Sequence, residues 1–97
     1  MAMHNPPHPG EFITDIYLEP NGISGRELAS KLGVATSTIS RILNGSSRVT
    51  PEIALRLSKA IGRSPESWLA MQDAHDLWLA RQSVDLKNVS KLKLAVA

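Results

Sequence analysis

No cysteine occurs among the 97 residues, and the aromatic side chains amount to one Phe, one Tyr and two Trp. The first absence excludes disulfides and thiolate metal sites, and it fits a reducing cytoplasm. The second leaves the core to be built from aliphatic side chains. No apolar run approaches the roughly 20 residues of a membrane span, and the opening MAMHNPPHPG lacks the basic-then-apolar layout of a secretory leader. Catalytic constellations are also missing. There is no paired carboxylate site, no nucleophile beside a base and no Gly-rich phosphate loop, and Asp73 and Asp76 flank His75 without a group to activate. His4 and His8 sit on a Pro-rich arm without a carboxylate or thiol partner, so neither a metal nor a cofactor is expected.

The missing charges are more informative than the net value of +2. Residues 1–23 contain Glu11, Asp15 and Glu19 but no Lys or Arg. Between Glu27 and Glu52 there is no acidic residue. Residues 24–63 hold Arg26, Lys31, Arg41, Arg48, Arg56, Lys59 and Arg63 against those two glutamates, an excess of five positive charges, while residues 64–97 balance four against four. Phosphate attraction would require such a concentration.

The basic segment contains SGRELASKLGVATSTISRILNG, residues 24–45. Ser24 followed by Glu27 is a capping box. Leu28, Ala29 and Leu32 then share one helical face, and Gly33 supplies a left-handed stop. Thr36-Ser37-Thr38 opens a second helix whose inner side is Ile39, Ile42 and Leu43, ended by Gly45. Two short helices about a glycine turn form the helix-turn-helix unit, and small Ala29 lets them cross closely. The outer face of the second helix carries Thr36, Ser37, Thr38, Ser40 and Arg41. Hydroxyls bond base edges, and arginine bonds guanine bidentately. The competing reading is a solvated Ser/Thr face, which the poor helix propensity of those residues disfavours.

Elsewhere, Phe12, Ile13, Ile16 and Tyr17 stripe a first helix that Pro20 and Gly22 end. Thr50-Pro51-Glu52 and Ser64-Pro65-Glu66 repeat one start signal of hydroxyl cap, N1 proline and first-turn acid. The expected fold is an all-α bundle of five helices near 11–19, 24–32, 36–44, 51–61 and 65–81, cored by Ile16, Leu28, Leu32, Ile39, Ile42, Leu57, Ile61 and Leu69. It forms one DNA-binding domain over residues 1–82 with a short tail, residues 83–97. The tail alternates apolar and polar residues in part, and its conformation stays open. Met71, His75 and Trp78 make a second apolar stripe on the last helix. With Leu92 and Leu94 they are the candidate dimer contacts, Trp78 foremost.

With these pieces placed, the chain resembles the HigA/VapI-type antitoxins of the XRE (phage-repressor-like) helix-turn-helix superfamily. The specific motifs are His8-Pro9-Gly10-Glu11, TSTISRILNG, SPESWLAMQ and a VD…L tail, spanning His8 to about Leu92. The resemblance implies a dimeric cytoplasmic repressor that reads an inverted-repeat operator in double-stranded DNA. It further implies neutralisation of a small, basic, RelE-like mRNA-cleaving toxin encoded nearby. It puts Thr36, Ser37, Thr38 and Arg41 at base-reading positions, and Asn44 and Gly45 at a turn near phosphate. The further phosphate candidates are Ser24, Arg26, Ser40, Ser47 and Arg48. At Gly25, where phage repressors often carry glutamine, the sequence departs from the pattern, and Arg26 or Ser24 replaces that contact. Acidic Glu11, Asp15 and Glu19 should face away from DNA and offer the toxin a complementary patch. A solitary repressor without a toxin, and a helix-turn-helix fold used only for protein interaction, are the alternatives.

Overall fold

Caps that the sequence spells out start three of the five helices among the described residues. The computed structural model describes residues 5–96. Ser24 Oγ accepts from Glu27 N–H at the head of α2 (Gly25–Leu32), and Gly33 closes it at φ 73°. Thr50 Oγ1 accepts from Ile53 N–H to open α4 (Pro51–Ala60), and Ser64 Oγ accepts from Ser67 N–H to open α5 (Pro65–Ser83). The helix α3 (Thr36–Leu43) follows Ala35 with no side-chain cap.

The first helix, α1, spans residues 9–21, starting earlier and ending later than the sequence implied. It comprises an α-helical Pro9–Ile13, a π-helical Thr14–Leu18 and a closing Glu19–Asn21. Pro20 has no N–H for the carbonyl one turn back, and its ring crowds that carbonyl. The wide turn lies just before it, with Glu19 N–H donating to Thr14 O. An extra residue per turn shifts the buried stripe. Ile13 and Leu18, five apart, are buried at 1% and 5% exposure, whereas Ile16 is 51% exposed. Ile16 is therefore not a core residue, contrary to the four-residue spacing.

Leu28, Leu32, Ile39, Ile42 and Leu57 are buried as expected. Ile61 and Leu69 pack only at the margin, because Trp68 occupies the centre fully buried. Its indole N–H donates to Gly62 O at 3.0 Å. Phe12 and Tyr17 meet it at their edges and tilted face, and the Arg63 guanidinium lies over both Phe12 and Trp68. Residues 84–96 hold neither helix nor strand and are exposed throughout. Among the described residues no helix is long and apolar enough to cross a membrane.

The tightest packing joins α1 to α3. A Cβ added to Gly10 would overlap the Ile42 carbonyl oxygen, a backbone atom that cannot swing aside. Gly22, at φ 63°, has open space around it. Gly10→Ala should therefore cost about 3 kcal/mol or more by overpacking, and Gly22→Ala only about 1–2 kcal/mol of backbone strain. Urea denaturation of the two variants checks the order; equal costs would mean that α1 does not close onto α3 in this way.

Candidate nucleic-acid interface

Ala29 on α2 is buried at 1%, and Ile39 and Ile42 anchor α3 from beneath. That anchoring turns Thr36, Ser37, Ser40 and Arg41 to solvent and leaves Thr38 half-buried at the edge of the face. Arg26, Thr36, Ser40 and Asn44 line one shallow hollow of about 360 Å³ together with Gly25 and Leu43. Four candidates separated in sequence are thus brought together. Even a Cβ at Gly25 would stand 3.1 Å from Leu43 Cδ1, so the backbone here closes onto the end of α3. Ser24 is committed to capping α2. Asn44 spends its carboxamide oxygen on Ser46 N–H at 2.9 Å, which shapes the turn at Gly45, φ 83°.

Several cations counted in the basic segment serve the fold instead. Arg56 donates to the carbonyls of Leu32 and Gly33 at the end of α2 and pairs with Glu52 at 3.1 Å. Arg63 covers the aromatic cluster. Arg48 is held by Asp76 at 2.8 Å and Asp73 at 3.3 Å. Those two aspartates, which looked idle beside His75, bind the arginine expected to meet phosphate. Arg26 and Arg41 stay exposed beside the recognition face.

The loop after α3 is fixed at three successive residues. Ser47 O accepts from His8 Nε2 at 3.1 Å, Arg48 pairs as described, and Val49 N–H donates to Gln72 Oε1 at 2.8 Å. Gln72, 1% exposed, also donates to Asp76 at 3.1 Å. His8, far from being a loose arm residue, is buried and caps α1, its Nδ1 accepting from Gly10 N–H at 2.9 Å. Its ring meets that of His75 edge-on at 5.3 Å between centroids, and His75 Nδ1 bonds Pro6 O at 2.9 Å. Burial, and next the His75 imidazole, hold His8 below the ordinary histidine value of 6.5. Sequence inspection missed both His8 and Gln72. Histidine before N1 proline was the available signal for the first; nothing local marks the second. His4 lies outside the described residues, and among those residues no His, Cys, Asp and Glu cluster could hold a metal.

The remaining candidates divide. Met71 packs on the chain's own core, His75 bonds the N-terminal arm, and both are half-buried. Trp78 is half-buried, Leu77 and Leu79 beside it are about half exposed, and Leu92 and Leu94 are exposed at 81% and 66%. Glu11 and Asp15, expected to face away from DNA, share a hollow of about 300 Å³ with Asn44 and Gly45, two of the phosphate candidates. The close Gly10–Ile42 packing puts them there. Glu19 lies about one turn beyond Asp15 along α1.

A short, anchored helix with a polar outer face, set across a second helix, defines a helix-turn-helix protein. The helix-turn-helix family HTH_3 matches residues 16–68. The chain is 42% identical over 92 residues to the HTH-type transcriptional regulator YddM of Escherichia coli K12, covering 95% of this chain and 97% of that protein. It is 42% identical over 72 residues to antitoxin HigA-1 of Vibrio cholerae, covering 74% of this chain and 68% of that one. Among solved structures, antitoxin GraA in complex with its operator superposes with a TM-score of 0.82 at 37% identity, covering 100% and 97% of the two chains. The chain belongs to the HTH_3 helix-turn-helix family, alongside HigA-type antitoxins.

Gln72 supplies the one acceptor for a buried backbone N–H in the loop. Gln72→Leu should therefore destabilise the fold by about 1–3 kcal/mol, the cost of stranding Val49 N–H without water. Loss of hydrogen-exchange protection at the Val49 amide, measured beside a denaturation curve, checks it; an unchanged amide would mean that water or another group replaces the glutamine.

Proposed function

We propose that the chain is a sequence-specific DNA-binding antitoxin that represses its own operon and neutralises a small basic toxin encoded beside it. The observation that carries the DNA reading is the exposed row of Thr36, Ser37, Ser40 and Arg41 on an anchored helix, with Arg26 and Asn44 closing one hollow at its side. Its likeness to an antitoxin solved with its operator supports the same reading. Thr36, Ser37, Thr38 and Arg41 read bases. Arg26, Ser40, Asn44, Gly45 and the loop at Ser47 meet phosphate, while Arg48 reaches phosphate only by leaving Asp73 and Asp76.

One recognition helix reads too few base pairs for useful specificity, so the chain acts as a homodimer on an inverted repeat with half-sites about 34–36 Å apart or a multiple of that. Support for this comes from the number of exposed apolar side chains between Leu77 and Leu94, seven within 18 residues. Residues 1–82 bind DNA and residues 83–97 join the dimer contact. The protein works in the cytoplasm, by binding rather than catalysis. The toxin is RelE-like and cleaves mRNA; a surface made to bind RNA is basic, which suits Glu11, Asp15 and Glu19.

Arg41→Ala should weaken binding to the duplex upstream of the protein's own gene by about 1–3 kcal/mol per half-site, with little effect on random DNA. Titrations on both duplexes check this, and equal losses would mean that Arg41 touches phosphate rather than bases. Lysine at residues 11, 15 and 19 should weaken a complex with the product of the adjacent small gene in pull-downs at moderate salt. Because two of these positions border Asn44 and Gly45, the same reversals should tighten DNA binding and steepen its salt dependence. A toxin complex indifferent to them would move that site elsewhere.

A further inference from the structure

The loop that follows the recognition helix is joined to the N-terminus of α1 through one imidazole. We propose that neutral His8 is a positioning residue for DNA binding, and that protonating it releases the loop at Ser47 and weakens the operator complex. The inference rests on the DNA-binding reading above.

A neutral imidazole has one donor and one acceptor, and His8 uses both. Nδ1 accepts from Gly10 N–H at 2.9 Å, which fixes the tautomer, so Nε2–H donates to Ser47 O at 3.1 Å. A second proton could go only to Nδ1, where it would face the Gly10 N–H. Two donors cannot share a bond, so the imidazolium must abandon the cap, and a ring that turns also leaves Ser47. The charge would be buried and would stand beside His75.

Other charged groups face the ring from each packed element. Glu11 on α1 and Asp76 on α5 favour the cation, and Asp15 lines the same hollow as His8 and Glu11. Asp76 and Asp73 are already paired with Arg48 from the loop. Burial outweighs them, leaving His8 below 6.5. The sign follows. At pH above 6.5 the ring is neutral whether the loop is held or released. As pH falls, the released, hydrated ring takes its proton first, so the held loop loses ground until the pH is below the folded value. Ordinary electrostatics has the opposite sign, since protonated histidines strengthen attraction to phosphate.

The test uses the full chain and two duplexes, one from upstream of its own gene and one random, at constant ionic strength. From about pH 7.5 to about pH 5.5 the wild type should lose about fivefold in affinity for its own duplex, the equivalent of one net hydrogen bond. His8→Asn retains a capping oxygen without a titrating ring but is too short to reach Ser47 O, so it should show the weakened affinity of the acid form at both pH values and lose the acid response. An NMR titration of the DNA-free wild type supplies a readout that needs no variant. The Gly10 and loop amides at residues 46–49 should shift with the His8 ring, at one midpoint below 6.5. Affinity that rises on acidification, an acid response that survives in His8→Asn, or loop amides that ignore the His8 titration would each overturn the proposal. If the wild type binds neither duplex at the higher pH, the DNA-binding reading itself fails.

Discussion

The structure depends on a contact that contains no side chain: the Gly10 backbone against the Ile42 carbonyl. Only a residue without a Cβ permits that approach. Because α1 comes so near, the residue before it, His8, lies within hydrogen-bond reach of Ser47 beyond the end of α3. Glu11 and Asp15 arrive beside Asn44 and Gly45 by the same approach. The helix α3 is therefore supported at three places: by α2, by the core under Ile39 and Ile42, and by α1 at its C-terminal end. A helix of eight residues would be marginal in isolation, and these supports hold its polar face in one orientation.

Local signals in the sequence were dependable where the physics is local. Ser24, Thr50 and Ser64 cap the helices that their hydroxyls announced, and Gly33 ends α2 in the left-handed conformation. Periodicity located Ile39 and Ile42, because α3 is a regular helix. The same rule misplaced Ile16, because it presumes 3.6 residues per turn and Pro20 forces a wider one. Long-range partners carry no such signal. Gln72 reads as a polar interruption in an apolar stripe until α5 places it under Val49 N–H, 23 positions earlier. His8 reads as part of a flexible arm until its two ring nitrogens are both accounted for.

Charge shows the same division between composition and placement. The excess of positive residues over 24–63 correctly marks the helix-turn-helix segment, yet Arg56 and Arg63 brace the fold and Arg48 is paired. Exposed ion pairs contribute little to stability, so the pairing of Arg48 is weak enough to be exchanged for phosphate. Its geometry still matters, since Asp76 holds Gln72 and Arg48 at once and so links the loop to α5.

That link bears on how two partners could act on one small domain. Glu11 and Asp15 line one hollow with two candidate phosphate contacts, Asn44 and Gly45, and charges that near are little screened at physiological salt. A basic protein seated on those acids replaces local negative charge with positive charge next to the duplex, and its bulk occupies the end of α3. Charge favours joint binding and volume opposes it. Linkage requires that whatever factor the partner imposes on DNA affinity, DNA imposes on the partner's. Glu19, about one turn beyond Asp15 and outside that hollow, contributes charge with less steric conflict. If a basic partner rests on α1 as proposed, its place along the roughly three turns of that helix would set the balance between repression and partner binding.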